Sequence, residues 1–350
     1  MERPASRPLG TRADARALLA ADIGGTSSRI EVRTPKGQLL GAATGPGCNL
    51  RSSGPDAFTS LAATMREALG AVPGKDVAHA VLAFSGAGPA QHQQVQRATH
   101  EAAAPLGIDG SRITVTDDHL VAFLAGGVGD DGILLLAGTG AVTVSYRDRR
   151  PIQRRDGMGW LLGDVGSAVW LGRRTVQAVA ADLDHRGPRT RLTELVGDML
   201  DLDLRDGLLP PSPTGDTRQD LIRALDSLVP AGSPAGLGRF APLPGTVLED
   251  PVARDILDTA IRHFCTTVRD LDPSLELPVV LAGSVLATPG PIREEVTCGF
   301  EAEGREHRTV ASGLPGAIIL AREMAEDDTA LGDMAGDDIA EGGTATGVGA

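Results

Sequence analysis

Short apolar runs alternate along this chain with longer segments in which apolar residues recur at helical spacing. The runs Leu18 to Asp22, Val77 to Phe84 and Val279 to Ala282 predict buried strands. Between 253 and 271, the apolar spacing predicts a long amphipathic helix. Because strands and helices alternate, the pattern favours an α/β fold with a largely parallel sheet.

Two of the predicted strands run into glycine-rich turns in the same way. Leu18 to Asp22 precedes Gly24-Gly25, and Ile133 to Ala137 precedes Gly138-Thr139-Gly140. The segment Val142 to Tyr146 follows the second turn, so a β-hairpin is predicted there. This repeated order of features indicates a structural duplication of two similar halves.

Other elements are predicted in both halves. A short strand over 113–116 ends in Asp117-Asp118. The pattern of apolar positions is weakest over residues 184–248, which are rich in proline, glycine and charged residues. The further predicted helices cover residues 58–69, 119–123, 168–179, 221–228 and 314–324.

The same pattern divides the chain into regions. We expect an N-terminal lobe at 18–121, completed by a helix at 312–325, and a C-terminal lobe at 122–311. Residues 1–17 and 326–350 are polar and cannot bury enough apolar surface to fold alone. Both ends are therefore predicted to be disordered.

Charge and cysteine content narrow the classes of function. The net charge is -13, and residues 326–341 contribute seven acids without a Lys or Arg. An acidic chain without basic runs has no electrostatic footprint for nucleic acid. No apolar run reaches about 18 residues, so no membrane span is predicted. Cys48, Cys265 and Cys298 lack the spacing of a disulfide framework or zinc site. We expect a cytoplasmic protein without nucleic-acid or membrane partners.

The segment Asp22-Ile23-Gly24-Gly25-Thr26 is a candidate phosphate loop. Its glycines, Gly24 and Gly25, let backbone N–H groups approach phosphate oxygens, and Thr26 adds a hydroxyl donor. Asp22, at the strand end, can hold Mg²⁺ through water, because this ion prefers few carboxylates and keeps its own waters. An ordinary glycine turn with an exposed Asp22 is the alternative.

Two further glycine segments are candidates for nucleotide binding. Gly138-Thr139-Gly140 forms a turn of the same kind, and two such hairpins can clamp a triphosphate; a tight hairpin without a ligand is the alternative. Gly283-Ser284 follows Val279 to Ala282 and allows the backbone to pack against a planar base. It fits an ordinary strand-to-helix turn equally.

The pair Asp117-Asp118 is a candidate catalytic group. It lies where a short strand ends, the position at which open α/β sheets place ligand-facing residues. A carboxylate there can accept a hydroxyl proton during phosphoryl transfer. Alternatively, one of the two aspartates caps the helix that follows.

Two further segments are candidates for binding a small polar ligand. The loop from Gly157 to Ser167 brings the backbone of Gly157, Met158 and Gly159 close to such a ligand, and Asp164 can accept hydrogen bonds from vicinal hydroxyls. A surface loop with Asp164 as a helix cap is the alternative. Asn49 offers an amide for hydroxyl recognition, or belongs to an ordinary loop.

Six segments, taken in order, resemble the N-acetylglucosamine kinase family, which also includes bacterial glucosamine kinases and BadF/BadG/BcrA/BcrD-type activator ATPases. They are ADIGGTSSRIEV, GPGCNLRSSG, ITVTDDHLVAF, ILLLAGTGAVTVSY, GMGWLLGDVGSAVWLG and VVLAGSV. The resemblance implies a two-lobed actin-like (ribonuclease-H-like) fold with ATP and Mg²⁺ bound in the interlobe cleft. It implies that Asp22, Thr26 and Thr139 surround the phosphates and that Ser284 lies in the nucleotide pocket.

On the substrate side, the resemblance implies that Asn49, Asp118, the backbone of Gly157-Met158-Gly159 and Asp164 bind a small amino sugar. Asp118 would be the catalytic base for the 6-hydroxyl of N-acetylglucosamine or glucosamine, because family members usually read Asn-Asp where this chain reads Asp117-Asp118. The sequence leaves the oligomeric state undecided, with a homodimer as one option.

Two segments depart from the family pattern. The family often has Gly-Trp-Gly at Gly157-Met158-Gly159 and Asp-Glu-Gly-Ser at Asp164 to Ser167, so an acid near the ligand is lost. Two alternatives keep the fold. One is an activator-type ATPase, which needs a cluster held by closely placed cysteines, and the other is a non-catalytic sugar sensor.

Overall fold

The structure is a computed structural model that describes residues 16–48, 56–88, 90–204, 214–229 and 234–341. The chain divides into two compact units. The first comprises the described residues of 1–121 and 313–350, and the second comprises those of 122–312.

Strands and helices alternate through the described residues. The strands are β1 (Ala17–Ile23), β2 (Ser27–Arg33), β3 (Leu39–Pro46), β4 (Val77–Phe84), β5 (Ile113–Asp117), β6 (Gly132–Ala137), β7 (Ala141–Arg147), β8 (Arg150–Asp156), β9 (Val279–Ala282) and β10 (His307–Thr309). The helices are α1 (Ala57–Leu69), α2 (His92–Ala103), α3 (Asp118–Ala125), α4 (Ala168–Leu183), α5 (Leu192–Leu200), α6 (Thr217–Leu228), α7 (Pro251–Leu271), α8 (Ser284–Ala287), α9 (Pro291–Ala302) and α10 (Leu314–Glu341).

Each unit contains a five-stranded sheet with the same topology. In the first, the order is β3-β2-β1-β4-β5, with β1, β2 and β3 antiparallel and β4 and β5 parallel to β1. In the second, the order is β10-β9-β6-β7-β8, with β6, β7 and β8 antiparallel and β9 and β10 parallel to β6. The predicted duplication is therefore confirmed as two copies of one sheet topology.

The central strands are buried on both faces, which explains their continuous apolar sequences. In the first unit, one face of the sheet packs against α1 and α2, while the other packs against Leu314, Ala317 and Ala321 of α10. In the second unit, β6 and β9 contribute to one large cluster with α4, α5, α7 and α9.

Most predicted elements have the expected type and position. The hairpin at 133–146 is confirmed as β6 and β7, with Ala137 paired to Ala141. The long helix is confirmed as α7, which begins at Pro251 because Asp250 caps it by accepting the Val252 N–H. The last helix continues to Glu341, whereas the sequence predicted its end at Met324. Within the described residues, no helix has both the length and the hydropathy needed to cross a bilayer.

The sequence missed β8. Its residues, RPIQRRD, show no apolar alternation because most of them are exposed on the edge of the sheet. Backbone hydrogen bonding to β7, from Val142–Asp156 to Arg147–Arg150, defines the strand instead. Side-chain patterns report burial, so an edge strand with solvated side chains leaves little signal.

Candidate functional site

The first candidate loop is a tight turn at the carboxyl end of β1. The Gly24 N–H donates to the Ser27 carbonyl at 2.9 Å and closes the turn. Asp22 is half-buried, and its Oδ2 accepts the Gly313 N–H at 2.8 Å. Burial raises the pKa of Asp22, while the Gly313 N–H and the charge of Arg29 act in the opposite direction. The alternative of an exposed aspartate at this turn is therefore wrong.

Gly47 supports this turn from the neighbouring chain segment. A Cβ at Gly47 would collide with the backbone of Gly25 and Thr26. The Cys48 N–H also donates to the Gly24 carbonyl at 3.1 Å. Gly47 therefore lets the segment after β3 lie directly against the turn. Asn49, predicted to bind the sugar, lies outside the described residues.

The strand β5 ends in two aspartates that have different environments. Asp117 Oδ1 accepts the His119 N–H at 2.8 Å and pairs with His119 Nδ1 at 2.8 Å, so Asp117 is the residue that caps α3. Asp118 is the first residue of α3, with His119 Nε2 3.8 Å from its Oδ1. Within the described part of the chain, Asp118 Oδ1 is buried and has no hydrogen-bond partner.

These environments separate the two acidities. Burial raises the pKa of Asp118, the charges of Asp117 and Asp22 add to this effect, and His119 only partly offsets it. Burial acts on Asp117 in the same direction, but its hydrogen bonds and ion pair with His119 outweigh it and lower the pKa to about 2. The structure thus brings Asp22 and Asp118 into one electrostatic neighbourhood, with Asp118 the more basic carboxylate of the strand-end pair.

The second unit contains the other glycine turn. The Gly138 N–H donates to the Gly140 carbonyl, and the Gly138 carbonyl accepts the Ala168 N–H, both at 2.8 Å. A Cβ at Gly140 would lie 3.0 Å from Asp164 Oδ2. The turn that contains Thr139 is therefore joined to the start of α4 and lies against Asp164.

Asp164 lies inside the glycine-rich loop and does not cap a helix. Ser167 caps α4, because its hydroxyl accepts the Trp170 N–H. Asp164 is 9% exposed, and its Oδ1 accepts the Gly159 N–H at 3.1 Å. Burial raises the pKa of Asp164, and the charge of Asp156 adds to this effect. The loop therefore brings Gly159 and Asp164 together.

Met158 contributes an exposed side chain to the same loop. Met158 is 65% exposed, and Leu161 and Leu162 are exposed to a similar degree. The Trp160 carbonyl accepts from Arg173 on α4 at 2.8 Å. The predicted role of the segment at Gly157-Met158-Gly159 therefore depends on its backbone, and Gly157 and Gly159 both have φ in the left-handed region.

Asp156 organises this loop, and we did not predict it from the sequence. It is the last residue of β8, and its carboxylate accepts the N–H groups of Asp164 and Val165 and contacts His263 Nε2. Burial acts to raise its pKa, but His263 and the two N–H groups outweigh this and lower the pKa to about 2. The available signal was its position directly before Gly157; His263 gave none, because it is 107 residues away.

A cavity of about 510 Å³ lies in the second unit beside the predicted nucleotide segment. Its lining is mainly apolar and includes Ser284, Val285, Leu171, Leu257 and Ile292. Gly283 has φ +84°, and a side chain there would collide with the Ala137 carbonyl. A cavity of this size and character suits an aromatic base. The structure also places Gly138 next to Gly283 and Ser284, two segments that were predicted separately to bind the nucleotide.

The residues present fit ATP and Mg²⁺. For the nucleotide, the mainly apolar cavity beside Ser284 offers a pocket for the base, and each glycine turn, described within its own unit, has a backbone suited to contact phosphate oxygens. For the cation, Asp22 is a single strand-end carboxylate beside a glycine turn, and such a donor suits an ion that keeps most of its waters. Asp22 would hold Mg²⁺, and the bound ion would neutralise negative charge on the phosphates.

The chain is similar in sequence to a known family and to kinases of two bacteria. A model of the BadF/BadG/BcrA/BcrD ATPase family matches residues 21–286. The chain is 25% identical over 194 residues to the N-acetylmuramic acid/N-acetylglucosamine kinase of Clostridium acetobutylicum, a match that covers 55% of this chain and 62% of that kinase. It is 26% identical over 187 residues to the glucosamine kinase of Vibrio cholerae, covering 52% and 61% of the two chains. Each match thus spans less than two thirds of the relative.

A solved structure extends the likeness over nearly the whole fold. The crystal structure of a Chromobacterium violaceum protein, provisionally described as an N-acetylglucosamine kinase, has a TM-score of 0.68 and 25% sequence identity to this chain. The alignment covers 88% of this chain and 99% of that protein. Together with the duplicated sheets, it confirms the α/β actin-like fold.

Proposed function

Since the chain belongs to the BadF/BadG/BcrA/BcrD ATPase family, we propose that it is an ATP-dependent kinase that phosphorylates the 6-hydroxyl of N-acetylglucosamine or glucosamine. One observation carries the proposal. Asp118 presents a buried carboxylate oxygen without a hydrogen-bond partner in the described part of the chain. That oxygen is suited to accept the proton of a substrate hydroxyl.

Asp118 acts as the general base. As the 6-oxygen forms its bond to the γ-phosphorus and the bond from that phosphorus to the β-phosphate oxygen breaks, the hydroxyl proton passes to Asp118 and ADP leaves. Burial raises the pKa of Asp118, which makes it a better proton acceptor than an ordinary carboxylate while it remains ionisable near neutral pH. Asp117 contributes by fixing the start of α3 through the His119 N–H.

The two glycine turns bind the phosphates. In the first unit, Gly24 closes the turn, and Gly25 and Thr26 supply donors. In the second unit, Gly138 closes the turn, and Thr139 and Gly140 supply them. The adenine base of ATP occupies the cavity beside Gly283 and Ser284. Preorganised N–H donors stabilise the charge that develops on the transferred group without reorganising during the reaction.

The loop from Gly157 to Asp164 and the residue Asn49 bind the sugar. In support, Asp164 and the Gly159 N–H already form a polar pair, and Asp164 lies against Gly140 of the phosphate turn. The names of the relatives support an amino sugar as the substrate class. Val165 stands where the family often has an acid, and a comparison of N-acetylglucosamine with glucosamine identifies the preferred 2-substituent, acetamido or free amine.

The test is a coupled assay of ADP release with N-acetylglucosamine, glucosamine, N-acetylmuramic acid, N-acetylmannosamine and glucose, each with ATP and Mg²⁺. We expect release that depends on one of the amino sugars and far less with glucose. Silence with all five sugars would refute the kinase proposal in favour of a sugar sensor. ATP hydrolysis that is independent of sugar would instead indicate an activator-type ATPase.

A further inference from the structure

We propose that Asp156, held by His263, is a positioning residue that fixes the sugar loop (residues 157–165) and so controls the affinity for the sugar but not for ATP. The inference rests on the proposed kinase function and deepens it, because it identifies what determines the shape of the sugar site. The family resemblance did not point to either residue.

Both carboxylate oxygens of Asp156 have hydrogen-bond partners, which lie in the sugar loop and on α7. Its Oδ1 accepts the Asp164 N–H at 2.6 Å, and its Oδ2 accepts the Val165 N–H at 2.9 Å. Oδ2 also lies 3.0 Å from His263 Nε2 on α7. The Asp156 side chain is 7% exposed, against 30% for His263. Charge-assisted bonds of this kind, shielded from water, are stronger than neutral ones.

The backbone is built around this carboxylate. Asp156 has φ +60°, a left-handed conformation that a residue with a side chain adopts at a cost. A Cβ at Gly163 would collide with Asp156 Oδ1, so the loop can close over the carboxylate only with glycine at that position. The positive φ at Asp156 and the glycine at the contact both suit a carboxylate at this position.

The contacts lead directly to the groups proposed to touch the sugar. Asp156 binds the N–H of Asp164, and Asp164 Oδ1 in turn accepts the Gly159 N–H. Both the Asp164 carboxylate and the Gly159 backbone are therefore placed by one chain of hydrogen bonds. Because the oxygens of Asp156 are already engaged, it acts through the loop and does not contact the ligand itself.

Asp156→Asn is the sharpest perturbation, because it preserves shape but leaves a single acceptor oxygen. An amide can keep the Asp164 N–H bond, but its NH₂ group then faces the Val165 N–H, donor against donor. We expect the KM for N-acetylglucosamine or glucosamine, whichever the wild type uses, to rise roughly 10- to 100-fold. The KM for ATP should change less than about 2-fold, because the Asp156 carboxylate contacts Asp164, Val165 and His263, none of which is proposed to bind ATP.

The matched control is Asp148→Asn. Asp148 lies in the turn between β7 and β8 and also has a positive φ, but it is exposed and lies outside the sugar loop. It should leave both KM values unchanged. His263→Gln, which can retain a donor near the Nε2 position, should raise the sugar KM less than His263→Leu does, and either change combined with Asp156→Asn should add little.

The outcomes separate the two proposals. A wild-type protein that releases no ADP with any sugar refutes the kinase function and this inference with it. An active wild type whose sugar KM is unaffected by Asp156→Asn refutes the inference alone. Equal increases in the KM for sugar and for ATP also overturn it, since they indicate a general structural role. Hydrogen exchange over 157–165 gives a second readout, and faster exchange in Asp156→Asn than in Asp148→Asn is expected.

Discussion

Replacing Asp118 with Asn separates catalysis from stability at one residue. The Asn side chain keeps the size of the carboxyl group but cannot accept a proton at neutral pH. We expect kcat to fall about 10²- to 10⁴-fold, the usual contribution of a general base, with little change in ATP affinity. The same substitution should make the fold more stable above neutral pH, because it removes a charge that the protein buries at a cost.

The magnitude of the stability change follows from the acidity of Asp118. Burial, with the charges of Asp117 and Asp22, raises the pKa from 3.8 to about 7. At about 1.4 kcal/mol per pH unit, this sets an upper limit of about 4 kcal/mol. This limit already includes the attraction to His119, and the Asn amide has its own cost of burial, so we expect a net gain of roughly 1–3 kcal/mol.

The sign and the pH window are specific. A raised folded-state pKa means that the protonated carboxyl stabilises the fold; this contribution is complete below about pH 4 and is lost as the pH rises through about 7. The advantage of Asp118→Asn should therefore be absent near pH 3.5, grow between about pH 4 and 7, and stay constant above. In the wild type, kcat/KM should fall about tenfold per pH unit below about pH 7.

Two measurements check this reasoning. Denaturant unfolding of the wild type and Asp118→Asn at a series of pH values gives the free-energy difference, and the coupled ADP-release assay gives kcat. Wild-type turnover in the variant would refute the assignment of the base. A variant that is less stable than the wild type at pH 8 would contradict the account of the raised pKa.

Two further predictions concern packing in each unit. Arg305→Met should lower the free energy of unfolding by about 3–5 kcal/mol in a denaturant titration, because it leaves Asp272 as a buried charge without its 2.8 Å ion-pair partner. Its control is Arg308→Met, in an exposed pair, which should change the free energy of unfolding by less than about 1 kcal/mol. Gly47→Ala should weaken ATP binding, measured by calorimetry, because the new methyl group collides with the phosphate turn. Gly110→Ala, where a Cβ meets only ordinary contacts, is its control, and equal ATP affinity in the two variants would contradict this role of Gly47.

The sequence was informative about the site wherever a local pattern carried the chemistry. Glycine turns at strand ends were visible at Gly24-Gly25 and Gly138 to Gly140, and the structure has a tight turn at each. The strand end at Asp117-Asp118 was visible too, but the sequence could not say which aspartate caps the helix. That choice depends on the His119 contacts and on burial, which are properties of the folded chain.

By itself, the sequence determined the α/β class, the duplication and the order of the candidate segments, because apolar periodicity and glycine turns record local conformation. Only the tertiary structure joined Asp22 to Gly313 and Asp156 to His263, pairs separated by 291 and 107 residues. It also decided the acidity of Asp118 and the environment of Asp164. The physical reason is that burial and long-range hydrogen bonds arise from segments that meet only after folding, and no local pattern encodes which segments will meet.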